Sequence, residues 1–379
     1  MKVGIISDRL NRTLTGVGTY VYNLIKELSK DNNDNLFLIN YTENNIFNLN
    51  SVIIDNPFNF LPKKYAYYSW HIYLNYYLKN KKLDLDIIHS PENVTLFIKL
   101  KEGQKKVITV HDIMAFRFPD ISDIITRYRY KFLLPKTLRT ADKIISDSYS
   151  TKKDIIKYFK IPEDNVKVIH LGVDEDYKPL SKEEINNIKR KHNINYPFIL
   201  YTGGLAPNKN VERLIYAFYK LKKQLPKYKL IITGIKRYKY KSIFETIDKL
   251  NLQKDVIFTG YVPDEDLPGL YNAADLFVYP SIYEGFGLPP LEAMACGTPV
   301  ITSNTSSLPE VVGNAGIIID PYDVDRLSRA MYEVLSNDGL REELRKKGLK
   351  RAKLFNWRKT AEETLKVYRE IYNINNRRE

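Results

Sequence analysis

Short apolar segments alternate with amphipathic helical segments along the first half of the chain, and this alternation restricts the fold more than any other feature. Between the first two apolar segments, Val21, Leu24, Ile25 and Leu28 recur at helical spacing. Strands that alternate with helices predict a parallel sheet with right-handed crossovers. The candidate strands are Val3–Ser7, Leu36–Asn40, Ile87–His89, Lys106–Val110 and Lys143–Ser146.

The same pattern restarts in the second half of the chain. Phe198–Thr202 is an apolar strand that ends in two glycines, and a helical segment follows over 211–225. The charged stretch 179–196 separates the two series and is a candidate linker. We expect an α/β protein of two doubly wound, Rossmann-like domains facing a central cleft, over residues 1–180 and 181–355, with a C-terminal helix within 356–379. The further candidate strands are Leu230–Thr233, Val256–Thr259, Leu276–Tyr279, Val300–Thr302 and Gly316–Ile319.

Composition narrows the cellular context and the partners. The single cysteine, Cys296, permits no intramolecular disulfide, which fits a reducing compartment. The first residues are typical of a buried strand rather than a signal peptide, and no apolar run reaches the roughly 20 residues of a membrane span. We therefore expect a cytoplasmic protein, soluble or peripheral on the inner face of the membrane.

The formal net charge is +14, and the excess is spread over both halves of the chain. A nucleic acid, an anionic lipid or a phosphorylated small molecule would each exploit this charge. The alternative is a lysine-rich, solvated surface. No recognised nucleic-acid-binding module is present, so we expect no nucleic-acid partner.

The most informative motif follows the candidate strand at 276–279. Gly285 and Gly287 let the backbone approach a ligand closely, and Pro289 suits a first helical turn. Gly297 is placed to end that helix. A helix that begins here would direct N–H groups and a positive dipole end toward a diphosphate.

Two glutamates accompany this predicted helix. Glu292 lies about one turn inside it and can accept hydrogen bonds from a ribose diol, whereas Glu284 lies in the preceding loop, where it can meet a sugar. The alternative is a plain strand–turn–helix connection with two solvated glutamates. The full segment from Tyr283 to Pro299 is more specific than an isolated glycine pair.

Two further glycine segments follow strands. Gly203 and Gly204 precede Lys209, which could place a positive charge on a diphosphate, or could be an ordinary surface lysine. Gly16 and Gly18, within the segment Leu14–Tyr20, open a helix but do not complete the dinucleotide fingerprint, which weakens a nicotinamide or flavin hypothesis. The alternative for Gly16 and Gly18 is that glycine is needed there only to form the turn.

Two histidines end apolar strands, where the ligand crevice of an open parallel sheet lies. For His111, this position makes a role in the site and a purely structural role equally plausible. His89 is more typical of a structural histidine. Asp-x-Asp pairs occur four times and are therefore uninformative about a metal. No His/Cys cluster has zinc spacing, so the sequence predicts neither a metal nor a cofactor.

With these residues in view, the sequence resembles the retaining glycosyltransferases of family 4, which have the GT-B fold. The centre of the resemblance is the glutamate-x7-glutamate motif of Glu284 and Glu292. The resemblance covers nearly the whole chain. Its supporting matches are Leu171-Gly172-Val173-Asp174, Gly260-Tyr261-Val262, Leu270-Tyr271-Asn272-Ala273-Ala274-Asp275, Pro299-Val300-Ile301 and Phe355-Asn356-Trp357.

The resemblance implies roles for the motif residues. Glu292 would bind the donor ribose, Glu284 would lie beside the transferred sugar, Lys209 would neutralise the leaving diphosphate, and His111 would lie near the sugar. The terminal helix would cross back onto the first domain, and no metal would be needed. The remaining donor-binding residues would be Gly16, Gly18, Gly203, Gly204, Tyr261, Val262, Gly285, Phe286, Gly287 and Leu288.

One position departs from the family pattern. Many members carry an arginine five residues before the lysine, where this chain has Gly204. Phosphate neutralisation is then expected to depend on Lys209 and the helix N-terminus. The lysine-asparagine pair Lys209-Asn210 is similar to that of certain mannosyltransferases, which makes GDP-mannose the first donor hypothesis and a UDP-sugar the second.

The acceptor hypothesis is a glycan, a lipid-linked sugar or a small molecule. No residue is well placed as a nucleophile, so same-face attack is favoured over a covalent intermediate. The alternatives are a sugar-nucleotide 2-epimerase of the same fold and a non-catalytic nucleotide-sugar-binding protein.

Two stretches of the first domain mix basic and aromatic residues, a composition that suits an anionic membrane surface. An amphipathic helix packed on its own sheet is an equal alternative. The stretches are 127–139, with Arg127, Tyr128, Arg129, Tyr130, Lys131, Phe132, Leu133, Leu134, Lys136 and Arg139, and 63–77, with Lys63, Lys64, Tyr65, Tyr67, Tyr68, Trp70, Tyr73, Tyr76 and Tyr77.

Overall fold

The computed structural model describes residues 1–11, 16–30, 35–43 and 46–376, and Leu14 and Thr15 of the first glycine segment lie outside these ranges. The chain divides into two compact units. Unit 1 comprises 1–117, 124–172 and the chain from Trp357 onward, and unit 2 comprises 118–123 and 173–356.

Unit 1 is built on a parallel sheet that has seven strands over the described residues, in the order β3-β2-β1-β4-β5-β6-β7. The residues of the central strands are almost all buried, as a sheet covered by helices on both sides requires. The strands are β1 Val3–Ile6, β2 Leu36–Asn40, β3 Asn50–Ile53, β4 Ile87–Ser90, β5 Lys105–Val110, β6 Lys143–Ser146 and β7 Val166–Val168.

The helices of unit 1 cover this sheet. The predicted apolar stripe of α1 is buried, and Ser148 caps α5 by accepting a hydrogen bond from the Thr151 N–H at 3.0 Å. The terminal helix α14 packs against α1, so it belongs to unit 1, as predicted. The helices are α1 Gly16–Ser29, α2 Lys63–Asn80, α3 Met114–Arg117, α4 Ile124–Arg139, α5 Tyr149–Phe159 and α14 Trp357–Asn376.

Unit 2 contains a second parallel sheet, with six strands over the described residues, in the order β10-β9-β8-β11-β12-β13. Every residue of β8 and β11 is buried, which places these strands at the centre of the core. The strands are β8 Phe198–Thr202, β9 Lys229–Thr233, β10 Val256–Gly260, β11 Leu276–Tyr279, β12 Val300–Ser303 and β13 Ile317–Ile319.

The helices of unit 2 begin within the charged stretch where the sequence placed a linker. That stretch forms α6, which opens with a capping box between Ser181 and Glu184 and packs against α9. The helix predicted over 211–225 ends earlier, at Lys222. The helices are α6 Lys182–Lys191, α7 Val211–Lys222, α8 Lys241–Lys249, α9 Leu267–Ala273, α10 Leu288–Ala295, α11 Leu308–Val312, α12 Val324–Ser336 and α13 Asp338–Ala352.

Among the residues that the structure describes, none of the helices combines the length and the apolar character that crossing a bilayer requires.

Candidate active site

The centre of the site in unit 2 is an ion pair between Lys209 and Glu284. The Lys209 Nζ lies 2.6 Å from Glu284 Oε1, and both side chains are mostly buried. The same Oε1 accepts hydrogen bonds from the Tyr279 hydroxyl at 3.0 Å and the Ser281 hydroxyl at 2.6 Å. Three donors on one oxygen fix the carboxylate, and among the described residues none donates to Oε2, which leaves that oxygen for a ligand.

Two loops position this pair. Lys209 ends a 3-10 turn over Pro207–Lys209, and the backbone of Asn208 accepts a hydrogen bond from the Ile282 N–H at 2.7 Å. The Asn210 side chain donates to the carbonyl of Pro280 at 3.0 Å. Lys209 also contacts Tyr279, through its hydroxyl at 2.8 Å and its ring at 5.3 Å. The lysine and the first glutamate of the motif, predicted to act on the diphosphate and on the sugar, therefore occupy one cluster.

Helix α10 begins directly after the glycine loop. Gly287 has φ +121°, which side-chain-bearing residues rarely adopt, and a Cβ there would lie 2.8 Å from Leu308. Pro289 and Pro290 have no N–H, so the first turn can direct only the amides of Gly287 and Leu288 outward. The helix N-terminus therefore has fewer donors for an anion than an ordinary one. Gly285 and Phe286 precede it in the same loop.

Glu292 lies in the second turn of α10, as predicted. Its Oε2 accepts a hydrogen bond from the Tyr271 hydroxyl at 2.8 Å, and that hydroxyl lies 2.6 Å from Thr202 Oγ1 at the end of β8. Burial raises the pKa of Glu292 to about 7, although the bond from Tyr271 lowers it. The carboxylate is therefore held ready to accept hydrogen bonds above neutral pH.

The remaining predicted donor residues of unit 2 lie in loops after strands. Gly203 and Gly204 follow β8, and Gly203 has φ +147°. Tyr261 and Val262 follow β10, with Tyr261 exposed and Val262 buried. All four lie at carboxyl ends of parallel strands, the edge where open α/β sheets bind ligands.

His111 lies in unit 1, just after β5. Its Nδ1 is 2.6 Å from the buried Asp147 Oδ2, and its Nε2 is 2.9 Å from the carbonyl oxygen of Pro91. Both partners only accept, so the ring satisfies them as the doubly protonated imidazolium. Burial alone would lower the pKa of His111, but the Asp147 carboxylate raises it above its usual value. The Asp147 carboxylate thus favours the protonated form of the ring.

Gly16 and Gly18 are the first and third residues of α1 rather than parts of a free loop. Gly16 is exposed, with open space around the position of a Cβ, and Gly18 is buried. His89, by contrast, is fully buried. Its two nitrogens contact the Tyr368 hydroxyl at 2.6 Å and Thr109 Oγ1 at 2.8 Å, which is a structural role.

Sequence reasoning missed the residues that hold the site. Tyr279 and Ser281 fix Glu284, Tyr271 fixes Glu292, and Asp147 fixes His111. Tyr279 is the last residue of β11, so its position at a strand end was a usable signal. Among the described residues, no three His, Cys, Asp or Glu side chains cluster as metal ligands would.

Known proteins resemble this chain in both sequence and fold. Residues 14–177 match the family model described as Glycosyltransferase Family 4, and residues 183–351 match that described as Glycosyl transferases group 1. The O-antigen chain mannosyltransferase B of Escherichia coli is 38% identical over 269 residues, which is 70% of each chain. The serotype-specific mannosyltransferase WbdA of Escherichia coli is 32% identical over 300 residues, 73% of this chain, but this chain spans only 37% of that longer protein.

Among solved structures, the sucrose-phosphate synthase of Thermosynechococcus elongatus superposes with a TM-score of 0.80 over 99% of this chain and 100% of that one. The identity is 21%, so this likeness shows the fold alone. Fold and matches define a glycosyltransferase of the GT-B class, as the sequence predicted. More particularly, the chain belongs to glycosyltransferase family 4.

Proposed function

We propose that this glycosyltransferase moves mannose from GDP-mannose, with retention at the sugar carbon, to a glycan or lipid-linked acceptor. The observation that carries the proposal is the cluster in which Lys209 and Glu284 meet, with Glu292 in the second turn of the adjoining helix α10. The choice of mannose is supported by relatives that are named mannosyltransferases. A UDP-sugar is the second donor hypothesis.

Charge development explains what the cluster would do. As the donor C1–O bond breaks, negative charge builds on the diphosphate and positive charge on the sugar ring. Lys209 would stabilise the negative charge on the diphosphate, and the free Oε2 of Glu284 would accept a hydrogen bond from a sugar hydroxyl. Glu292, its carboxylate held by Tyr271, would accept from the ribose.

Retention is proposed to occur by attack on the same face. Lys209, Tyr279 and Ser281 all donate to Glu284 Oε1, and because the carboxylate charge is delocalised, these bonds lower the nucleophilicity of the whole group, Oε2 included. A covalent glycosyl intermediate on this residue is therefore disfavoured. The acceptor hydroxyl would attack from the side on which the diphosphate departs.

A transfer assay with defined donors tests the proposal. The purified protein is incubated with GDP-mannose or a UDP-sugar and a mannose-terminated, lipid-linked acceptor, and the anomeric configuration of the product is read by NMR. We expect an α-mannoside from GDP-mannose only. A changed donor without any acceptor would indicate the epimerase instead, and donor binding without transfer or hydrolysis would indicate a binding protein.

We further propose that unit 1 contacts an anionic membrane through helices α2 and α4. Their buried residues, such as Trp70 and Leu134, join the core, so each helix is packed on its own unit. Both also expose large apolar side chains on another face, and Arg129 of α4 covers the Tyr68 ring of α2 at 4.3 Å. The exposed side chains are Tyr65, Ile72, Tyr76, Ile124, Tyr128 and Phe132.

Liposome flotation at low salt tests this surface. Exposed aromatic and aliphatic side chains beside basic residues favour the lipid interface, so we expect binding to vesicles with anionic lipid and little binding to neutral ones. Replacing Tyr128 and Phe132 by serine should abolish flotation. Tyr332→Ser, at an exposed aromatic of unit 2, is the matched control. Equal flotation of all three proteins would contradict the proposal.

A further inference from the structure

The loop after β9 lies against the glycine loop after β8. Gly234 packs on Gly203 so closely that a Cβ at position 234 would lie 2.0 Å from the Gly203 carbonyl oxygen. Leu205 joins the two loops through its N–H to the Ile235 oxygen at 3.0 Å and through its own oxygen, which accepts from the Arg237 N–H at 3.3 Å. The backbone thus fixes where residue 237 stands relative to the glycine loop.

This arrangement lays the Arg237 side chain along Gly204. A Cβ at position 204 would lie 3.0 Å from Arg237 Cγ and 3.4 Å from its Nε. The absence of a side chain at position 204 is therefore what makes room for the arginine. A guanidinium delivered by a different loop therefore occupies the space beside position 204.

The guanidinium of Arg237 is available to bind an anion. Its side chain is exposed, and among the described residues no carboxylate pairs with it. Lys209, at the other end of the same glycine loop, already has the carboxylate of Glu284 as a partner. Helix α10 adds few donors, because Pro289 and Pro290 have no N–H. A diphosphate of two or more negative charges would therefore need another cation.

We infer that Arg237 binds the diphosphate of the donor, as a cation that reaches the glycine loop from the β9–α8 connection. Its planar fork can hold two phosphate oxygens at once, which an ammonium group does not do. The inference rests on the proposed function, since it assigns a residue to the same donor site. It replaces the expectation that only Lys209 and the helix N-terminus neutralise the phosphates.

Calorimetry with GDP, and with UDP in parallel, tests the inference on the full chain. Arg237→Ala should weaken binding of the nucleoside diphosphate by about 10- to 100-fold and that of the monophosphate much less, because the lost partner is the terminal phosphate. Lys236→Ala is the matched control. It removes the same charge one residue away, but its ammonium lies over the rings of Tyr240 and Phe244, both at 5.2 Å.

A charge-rescue variant separates binding from structural damage. Gly204 has no left-handed φ, so a side chain is tolerated once Arg237 is shortened. The double variant Gly204→Arg with Arg237→Ala should recover most of the lost affinity for the diphosphate.

The outcomes are distinct. If the wild type binds neither GDP nor UDP, the proposed function fails, and this inference with it. If the wild type binds and Arg237→Ala binds equally well, or loses diphosphate and monophosphate alike, the inference alone is overturned.

Discussion

At the scale of single residues, the contact between Lys209 and Glu284 changes what substitutions should do. Glu284→Ala removes the carboxylate that partly neutralises Lys209, so free GDP should bind as tightly as before or more tightly, while kcat falls. Glu292→Ala would remove the hydrogen bonds that we propose to the ribose, worth about 1.5–3 kcal/mol for a charged acceptor, and should mainly raise the donor KM. Calorimetry with GDP, paired with turnover assays, measures both effects.

The control for these variants is Glu245→Ala, which removes an exposed glutamate from α8 of the same unit. It should change neither GDP affinity nor turnover. Loss of GDP binding in Glu284→Ala together with an unchanged donor KM in Glu292→Ala would contradict the assigned positions of the two glutamates.

The buried carboxyl of Glu292 also predicts a pH-dependent stability. Its pKa is about 7 in the folded protein against an ordinary 4.5, so the folded state holds its proton more tightly. The stability gained from this proton is complete below pH 4.5 and is lost as the pH rises through 7. Glutamine cannot ionise, so Glu292→Gln should be more stable than the wild type at pH 8, by about 1–3 kcal/mol.

Denaturant unfolding without nucleotide, at pH 5 and pH 8, measures this difference. The stability advantage of Glu292→Gln should shrink toward pH 5. Glu245→Gln, at the exposed site, should show no such trend. An advantage of equal size at both pH values would show that ionisation of Glu292 is not its cause.

At the scale of elements, a buried hydrogen-bonded chain ties α14 to the sheet of unit 1. It runs from Tyr368 to His89 and on through Thr109 to the Tyr20 hydroxyl, with separations of 2.6, 2.8 and 2.9 Å. Burial lowers the pKa of His89 to about 3, so its ring is neutral and needs a partner for each nitrogen.

Tyr368→Phe should therefore destabilise unit 1. It leaves His89 Nδ1 buried and without its partner, at a cost of about 1–3 kcal/mol in the free energy of unfolding. Chemical denaturation measures the loss. Tyr372→Phe, on a less buried position of the same helix, is the control. An equal effect of the two substitutions would contradict the role of the hydrogen bonds that run from Tyr368 to Tyr20.

The strands that the sequence missed have a common physical cause. Asn50–Ile53 and Val166–Val168 are the two edges of the seven-stranded sheet, and both are only partly buried. An edge strand needs less apolar surface than a central one, so its composition resembles that of a loop. Central strands such as Phe198–Thr202 and Leu276–Tyr279 were predicted with their observed bounds, and others within one residue, because burial on both faces favours a continuous apolar run.

The residues of the candidate site also divide into those that the sequence could indicate and those that it could not. Glu284, Glu292 and Lys209 are candidates from the sequence alone because they belong to local motifs with fixed spacing. Tyr271 and Arg237 could not, since their contacts with Glu292 and Gly204 join segments that are distant along the chain. Only tertiary packing brings Tyr271 to Glu292 and lays Arg237 beside Gly204.

At the scale of the whole molecule, the cationic side chains of unit 2 predict whether sugar transfer requires a metal ion. Lys209 and, by our inference, Arg237 would supply the positive charge that a divalent ion supplies in other nucleotide-sugar enzymes. We therefore expect sugar transfer to survive EDTA with little change in rate. Assays with EDTA alone and with manganese or magnesium restored measure this, and complete loss reversed by either metal would contradict it.

Apart from the short segment 118–123, unit 2 runs from Val173 to Asn356, and these two residues form a parallel bridge. Unit 1 therefore receives α14 only after all of unit 2 has been synthesised. On the ribosome, the first 172 residues emerge without the helix that covers α1 and pairs with His89. Although domains usually fold in the order of synthesis, here the segment made second can complete its core first. Until α14 arrives, the earlier segment exposes apolar surface that a chaperone could bind.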